Sequence, residues 1–205
     1  MKKKIIIWGS AGHGSAVLDL SYNIGFKLET FLDESIKSKK INNAKLIKGK
    51  KNILSFLSKK AAKNYSYTVA IGSSQKIRLK IYNFLKKKGL NLPKLIHKTA
   101  YVSRTSKILN GSQIFANTNI GPNSIIGEGC IINNNANVDH DCELGNGVHV
   151  APGSVLCGGI SVGNNTLIGA NSTILPYLKI GSNCIIGAGT VVTKNIKSGT
   201  IYFKK

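Results

Sequence analysis

The chain has 205 residues, of which 42% are hydrophobic, with 29 Lys and Arg against 8 Asp and Glu and a formal charge of +21. That is enough apolar material for one large or two small globular domains and excludes a disordered chain. The apolar run after the MKKK opening is too short for a signal-peptide core and no later run reaches bilayer length, so a cytoplasmic protein with no membrane span is expected.

The charge is lopsided: residues 1–97 carry 21 basic and 4 acidic side chains, residues 98–205 carry 8 and 4. Such a half could attract a nucleotide, a nucleic acid or a membrane surface. Its lysines, however, are scattered among Ile and Asn without a basic-aromatic stripe for stacking bases, so nucleic acid is not the expected partner. The four cysteines show neither a C-x-x-C pair nor Cys/His ligand spacing, so no metal site is expected and the thiols read as reduced, small hydrophobes.

Lys4 to Trp8 reads as a buried strand feeding a glycine-rich turn (Gly9, Gly12, Gly14) and a helix closed by Gly25. The pattern G-x-x-G-x-G differs from the dinucleotide fingerprint G-x-G-x-x-G, which disfavours a nicotinamide cofactor. A glycine turn at a helix N-terminus still suits a phosphate, because backbone N–H groups can approach it closely. KLETFLDE is a second strand ending at Asp33. An acid roughly 20 residues past the last glycine, as Asp33 is past Gly14, accepts ribose hydroxyls in nucleotide-binding βαβ units, although a solvated strand-end acid has the same spacing. Residues 36–51 read as a Lys/Asn-rich loop. SYTVAIG is a third strand ending at Gly72, and a helix with Ile77, Ile81, Phe84 and Leu85 on one face follows until Gly89. Alternating strands and helices predict a small, open, Rossmann-like parallel sheet, with Gly9–Gly14, Asp33 and Gly72–Ser74 at the ligand-binding ends of its strands. NLPKLIH marks a boundary, giving an α/β domain over 1–94 and a second domain over 95–205.

From Val102 to Val192, every sixth residue is Ile, Leu or Val, sixteen in succession. Four positions after each aliphatic the residue is mostly small, with Val148, Ile160, Leu178 and Ile196 as larger exceptions, and Gly often follows the aliphatic directly. Neither a helical nor an alternating period explains this. A coil of short parallel strands does: the aliphatic points into a narrow shaft, and Gly or Asn occupies corners that need unusual backbone angles. The repeat reads as uninterrupted, and Cys130, Cys142 and Cys184 fall in its small-residue phase.

These repeats resemble those of the hexapeptide-repeat acyltransferases, which imply a left-handed parallel β-helix with three hexads per coil. IIIWGSAGHG, FLDE, VAIGSSQKIR, KLIHKTAYVS and VDHDCELGNGVHVAPGSVLCGG together resemble one subgroup over nearly the whole chain: the bacterial nucleotide-sugar N-acetyltransferases and sialic-acid O-acetyltransferases. The resemblance implies that the first domain holds a nucleotide sugar while the β-helix binds acetyl-CoA and assembles as a homotrimer. The family's G-x-P-A-like tail is replaced here by SGTIYFKK.

The stretch 133–153, NNNANVDHDCELGNGVHVAPG, contains three of the 8 acids and two of the 4 histidines. Acetyl transfer from a thioester to an amine needs a proton acceptor and donors for a developing oxyanion, and a His beside a carboxylate suits the first task. Matched to the family's motif, His140 takes the place of the general base, Asp141 its carboxylate partner, and His149 a histidine near the acetyl carbonyl. Asn133 takes a polar contact to the sugar, and Gly158 a backbone N–H facing the thioester oxygen. Ala170 and Ala188 match backbone contacts to the pantetheine arm, and Lys194 could neutralise a phosphate. Gly9, Gly12, His13, Gly14, Asp33, Gly72, Ser73 and Arg78 would hold the nucleotide diphosphate; Asp139 and Glu143 have no assigned role and read as solvated neighbours, Asp139 being the better candidate to meet a substrate ammonium. His140 and His149 lie half a coil apart, so a site using both needs a neighbouring subunit. N-acetylation of a nucleotide-linked amino sugar for surface glycans is the expected activity. O-acetylation of a sialic-acid-like sugar, or a non-catalytic basic scaffold, are the competing expectations.

Overall fold

The structure, a computed structural model, describes residues 3–35 and 44–203. The chain divides into two units, Met1–Leu95 and Ile96–Lys205. The first contains β1 (Lys4–Trp8), α1 (Gly12–Asn23), β2 (Lys27–Asp33), β3 (Leu46–Lys48), α2 (Lys50–Ser58), β4 (Ser66–Val69) and α3 (Gln75–Lys87). Its parallel sheet has the order β3-β2-β1-β4. Ile5, Ile6 and Ile7 are fully buried, as a continuous apolar run in a strand covered on both faces requires. From β1 the chain steps outward through β2 to β3, then returns to β4 on the other side of β1. This reversal opens a crevice at the carboxyl ends of β1 and β4, where open parallel sheets bind ligands.

The expected loop over 36–51 needs correction. Leu46–Lys48 adds an edge strand and Lys50 opens α2, which buries Ile53 and Leu57 one turn apart. A three-residue strand shows no period, and the lysines around Ile53 and Leu57 masked a short amphipathic helix. Residues 36–43 lie outside the described residues.

The second unit is a three-sided coil of two-residue strands running from Leu95–Ile96 to Ile201–Tyr202. Each strand pairs in parallel with the one three hexads further on, as in Asn137↔Val155, Ile125↔Glu143 and Ile131↔His149. Face one has six strands, including Asn137–Val138; face two has five, including Glu143–Leu144; face three has seven, including His149–Val150. This is the left-handed parallel β-helix that the repeats imply. Ile114, Ile120, Ile126, Ile132, Val138, Val150, Leu156, Ile168 and Ile174 are fully buried along the shaft.

The small-residue phase also carries hydrogen bonds. Ser112 Oγ donates to the Gly127 carbonyl at 2.7 Å and accepts the Cys130 N–H at 3.1 Å; Ser124 does the same with Asp139 at 2.6 Å and Cys142 at 3.0 Å. A buried hydroxyl is tolerated because both of its functions are satisfied. The Cys142 and Cys130 thiols also donate, each at 3.1 Å, to the carbonyls of Cys157 and Gly145.

Three positions after the aliphatic, Asn117, Asn123, Asn135, Asp141, Asn165, Asn171, Tyr177 and Asn183 take left-handed angles, φ 54 to 61°. The glycine directly after the aliphatic serves a different need: a Cβ on Gly121 would come within 2.7 Å of the Asp139 carbonyl carbon. At the position between them, two after the aliphatic, the N–H takes no part in the backbone ladder, while the carbonyl accepts from the next coil, as those of Pro122 and His140 do from Asp141 and Gly159. Pro122, Pro152 and Pro176, which have no N–H, occupy it, as do His140 and Gly158.

The repeat is interrupted once. Beyond Val192 a corner is shortened, so Ile196 bridges Ile180 and Ile201 pairs with Ile185, both two positions short of the regular register. Ile196, expected to be an oversized small-phase residue, is therefore the next shaft aliphatic, 6% exposed. Among the described residues no helix is long and apolar enough to cross a membrane, and no cluster of His, Cys, Asp and Glu could hold a metal ion.

Candidate active site

His140 stands on the corner between faces one and two, its N–H outside the backbone ladder and its carbonyl accepting from Gly159 at 2.9 Å, with its side chain 46% exposed. Asp139 Oδ1 accepts the backbone N–H of His140 at 2.7 Å, so Asp139 shapes the corner. Asp141 Oδ2 lies 2.8 Å from His140 Nδ1, while its Oδ1 accepts from Asn123 Nδ2 at 3.1 Å one coil below. A carboxylate at Nδ1 fixes the tautomer with the proton there, leaving Nε2 as acceptor. The hydrogen bond to Asp141, reinforced by the charges of Asp139 and Asp141, raises the His140 pKa above the ordinary imidazole value. Asp141 is lowered in turn by its bonds to His140 and Asn123. Asn123 was not anticipated from the sequence; its signal is its place at the same corner of the repeat, three hexads before Asp141.

Gly158, one coil above, lies against this ring: a Cβ there would come within 2.4 Å of both His140 Cε1 and Nε2. Gly158 is buried, and its N–H has no hydrogen-bond acceptor among the described residues. At comparable corners a side chain one coil higher takes this donor, as Asn164 does for Asn146; above Gly158 stands Pro176. A buried, unpaired N–H is costly unless a ligand takes it. The corner thus joins a proton acceptor to an available donor, the two elements of acyl transfer.

If neutral His140 is the base, activity falls as pH drops through its raised pKa. Asp141→Asn removes the main cause of that rise, so the acidic limb of the kcat/KM profile should move to lower pH while the plateau falls. A limb that stays in place would separate His140 from the rate-controlling proton transfer.

The other expected residues of this unit form a second set. His149 is on face three, 9% exposed, with Nε2 at 3.5 Å from Asn133 Nδ2. Asn133, Ala170 and Ala188 are on the corner between faces three and one, and the N–H groups of both alanines have no acceptor among the described residues. Lys194 is on the His140 corner. One chain therefore assembles His140, Asp141, Gly158 and Lys194 along one edge, and Asn133, His149, Ala170 and Ala188 along another. A hollow of about 590 Å³ between faces two and three, lined partly by Glu143, Gly163, Lys179 and Lys197, includes none of the expected residues.

In the first unit a cavity of about 520 Å³ gathers Gly9, Gly12, His13, Asp33, Gly72 and Ser73. α1 starts at Gly12 with Ala11 at its cap and no side-chain cap bond, so the positive end of its dipole meets this cavity without a capping side chain. Gly9 has φ 114°, and a Cβ there would come within 2.5 Å of the Ala70 carbonyl oxygen. The His13 ring lies against Gly72. Three of the expected residues have places within the fold itself. Asp33 Oδ2 accepts the Ser10 N–H at 3.0 Å and Oγ at 2.7 Å, and Oδ1 accepts Ser35 N–H at 3.0 Å, so this carboxylate staples the turn to β2. Arg78 is 1% exposed and donates to the Ile71 carbonyl at 2.9 Å, so it braces the Gly72 turn from within. Gly14 is buried in α1 and does not line the cavity. Trp8, Glu34, Ile77 and Ile81 line it without having been anticipated; Ile77, 52% exposed, is the helix-face aliphatic that the core does not take.

Residues 4–85 match the PglD N-terminal domain, and residues 125–158 and 159–194 match the bacterial transferase hexapeptide repeats. The acetyltransferase domain of PglB from Neisseria gonorrhoeae, solved with acetyl coenzyme A, is 30% identical with TM-score 0.87, covering 98% of this chain and 96% of its own. A histidine-to-asparagine variant of perosamine N-acetyltransferase from Caulobacter crescentus, in complex with CoA and GDP-perosamine, is 29% identical with TM-score 0.88, covering 95% and 90%. WeeI from Acinetobacter baumannii is 26% identical with TM-score 0.75, covering 97% and 95%. A β-helix of hexapeptide repeats following a small Rossmann-like unit, matched over nearly the whole chain by these acetyltransferases, defines an acyltransferase. The chain belongs to the hexapeptide-repeat acyltransferases, in the PglD/NeuD-like subgroup of bacterial sugar acetyltransferases.

Proposed function

We propose that this protein transfers the acetyl group of acetyl-CoA to the amino group of a nucleotide-linked deoxy-amino sugar, for surface-glycan synthesis in the cytoplasm. The observation that carries this reading is the His140–Asp141 pair packed on Gly158. The sugar amine loses its proton to His140 Nε2 as its nitrogen attacks the thioester carbon. The Gly158 N–H receives the oxyanion, and the thiolate of CoA leaves as the tetrahedral intermediate collapses. No covalent enzyme intermediate is needed. The uncapped start of α1 and the Gly72–Ser73 turn would hold the diphosphate in the first-unit cavity.

The separation of the two residue sets onto different edges supports a cyclic homotrimer, in which the His149 edge of one subunit faces the His140 edge of the next. The relatives solved with acetyl-CoA, or with CoA and GDP-perosamine, support the same cosubstrate and an amino-sugar acceptor. UDP- and dTDP-4-amino-4,6-dideoxy sugars are our leading substrates, and the Caulobacter relative adds GDP sugars to those worth testing.

Thermal unfolding with UDP-, dTDP-, GDP- and CMP-sugars, with and without acetyl-CoA, tests the reading, because a ligand of the folded state raises the midpoint. Stabilisation by one diphosphate-sugar class and by acetyl-CoA is expected, followed by thiol release with that sugar's amine. Stabilisation by acetyl-CoA alone would replace the reading with O-acetylation of a free sugar. No response to any ligand would sink it.

A further inference from the structure

Among the described residues eight non-glycine residues are held at left-handed φ: six are Asn on the repeat's corners, one is Asp141, and one is Tyr177 at φ 61°. Asn and Asp tolerate this region, whereas for a bulky side chain it is a genuine outlier. Tyr177 nevertheless stays 76% exposed, so burial of its ring within the chain does not offset that strain. Strain that the fold itself does not need is commonly stored where a ligand uses it.

The ring has a defined seat. A Cβ on Gly159 would come within 2.5 Å of Tyr177 Cδ1 and 2.7 Å of Cε1, so the ring lies against Gly159 as His140 lies against Gly158. The two rings therefore press on adjacent glycines, His140 from the coil below and Tyr177 from the coil above. They wall a slot floored by Gly158 and Gly159. The Gly158 N–H without an acceptor belongs to this floor, and Leu175, 38% exposed, and Pro176 continue the apolar edge upward. Lys194 follows on the next coil, three strand spacings or on the order of 14 Å beyond His140.

We infer that Tyr177 is the aromatic wall that seats the mercaptoethylamine end of the acyl-CoA arm beside His140. The inference rests on the acetyl-CoA reading above. With the thioester oxygen on the Gly158 N–H, the arm leaves the slot between Gly159 and the Tyr177 ring and runs up an apolar edge toward a cation suited to its phosphates. A flat, rigid ring contributes contact area there at little cost in side-chain freedom.

The test is Tyr177→Asn, which installs the residue the other corners use. KM for acetyl-CoA should rise by roughly 3- to 10-fold, with kcat and the KM for the sugar unchanged. Because the strained backbone is relieved, the midpoint of ligand-free unfolding should be unchanged or higher. Tyr177→Phe should keep the wild-type KM, since the ring face makes the contact. An unchanged KM in Tyr177→Asn, or a lowered midpoint with KM raised for both substrates, would overturn the inference, as would a Phe variant as weak as the Asn variant. A wild-type protein that acetyl-CoA fails to stabilise would instead overturn the proposed function. Equal stabilisation of wild type and Tyr177→Asn would overturn this inference alone.

Discussion

Replacing His140 with alanine should lower kcat for acetyl transfer by about 10²–10⁴-fold, the range a positioned general base contributes. The fold should be indifferent. The side chain is 46% exposed, the one ladder bond of this residue, from Gly159 to its carbonyl, is a main-chain bond that alanine keeps, and Nδ1 bonds to a neighbour on the same corner. The KM for acetyl-CoA should change little if, as proposed, the ring's work is proton acceptance. The same variant tests the shared site. His140→Ala and His149→Ala disable different edges of the prism, so co-expressed subunits in a randomly mixed cyclic trimer would regain about one quarter of the wild-type sites, each built from two intact edges. Steady-state thiol release on separate and mixed preparations reads both effects. A loss below about tenfold would remove His140 from the base role, and mixtures no better than their parents would remove the shared site.

Gly158→Ala should cost about as much, for a different reason. Gly158 is not at positive φ, so alanine suits its backbone. The obstacle is the His140 ring, which the new Cβ would meet at 2.4 Å at both Cε1 and Nε2. Ring and methyl cannot share that space. The imidazole must swing away from the donor it overlies, and displacement of a catalytic group by about 1 Å costs on the order of 10² in rate. Thermal stability should stay near wild type, since an alanine at a compatible backbone position also reduces the freedom of the unfolded chain. The double variant with His140→Ala should be no slower than His140→Ala alone, because both changes remove one function. Multiplying losses would show that Gly158 matters for something other than its neighbour's ring.

The β-helix was legible because one rule, an aliphatic every sixth residue, decides every coil. It lapsed where a corner was shortened, and Ile196 then looked like a misfit in a phase it had left. The first unit was legible where strands were long and apolar, as at Ile5–Ile7, and not at β3 and α2, whose short elements carry too few apolar positions to show a period. Motif matching named His140, Asp141 and Gly158, and the structure brings these together. It gave no sign that Gly158 makes room for the imidazole, because that requires knowing which residues stack from one coil to the next. The burial of Arg78 was hidden for a related reason: a cation in a basic helix looks solvated until the carbonyl it braces is seen.

The three-hexad register also governs how the second unit acquires its shape. Its strands pair with the coil directly before or after, and with nothing more distant along the chain. Such a stack behaves as a one-dimensional array in which order can begin at any coil and spread to either side. Closing each turn costs a short loop's entropy, so growth is fast for an all-β architecture, whose usual penalty is long-range pairing. A strand paired on one side only is then a weak point of such an array. Ile201–Tyr202, whose described pairing is on one side alone, with Ile185–Ile186, and whose Ile201 is 64% exposed, is held by fewer bonds than the inner strands.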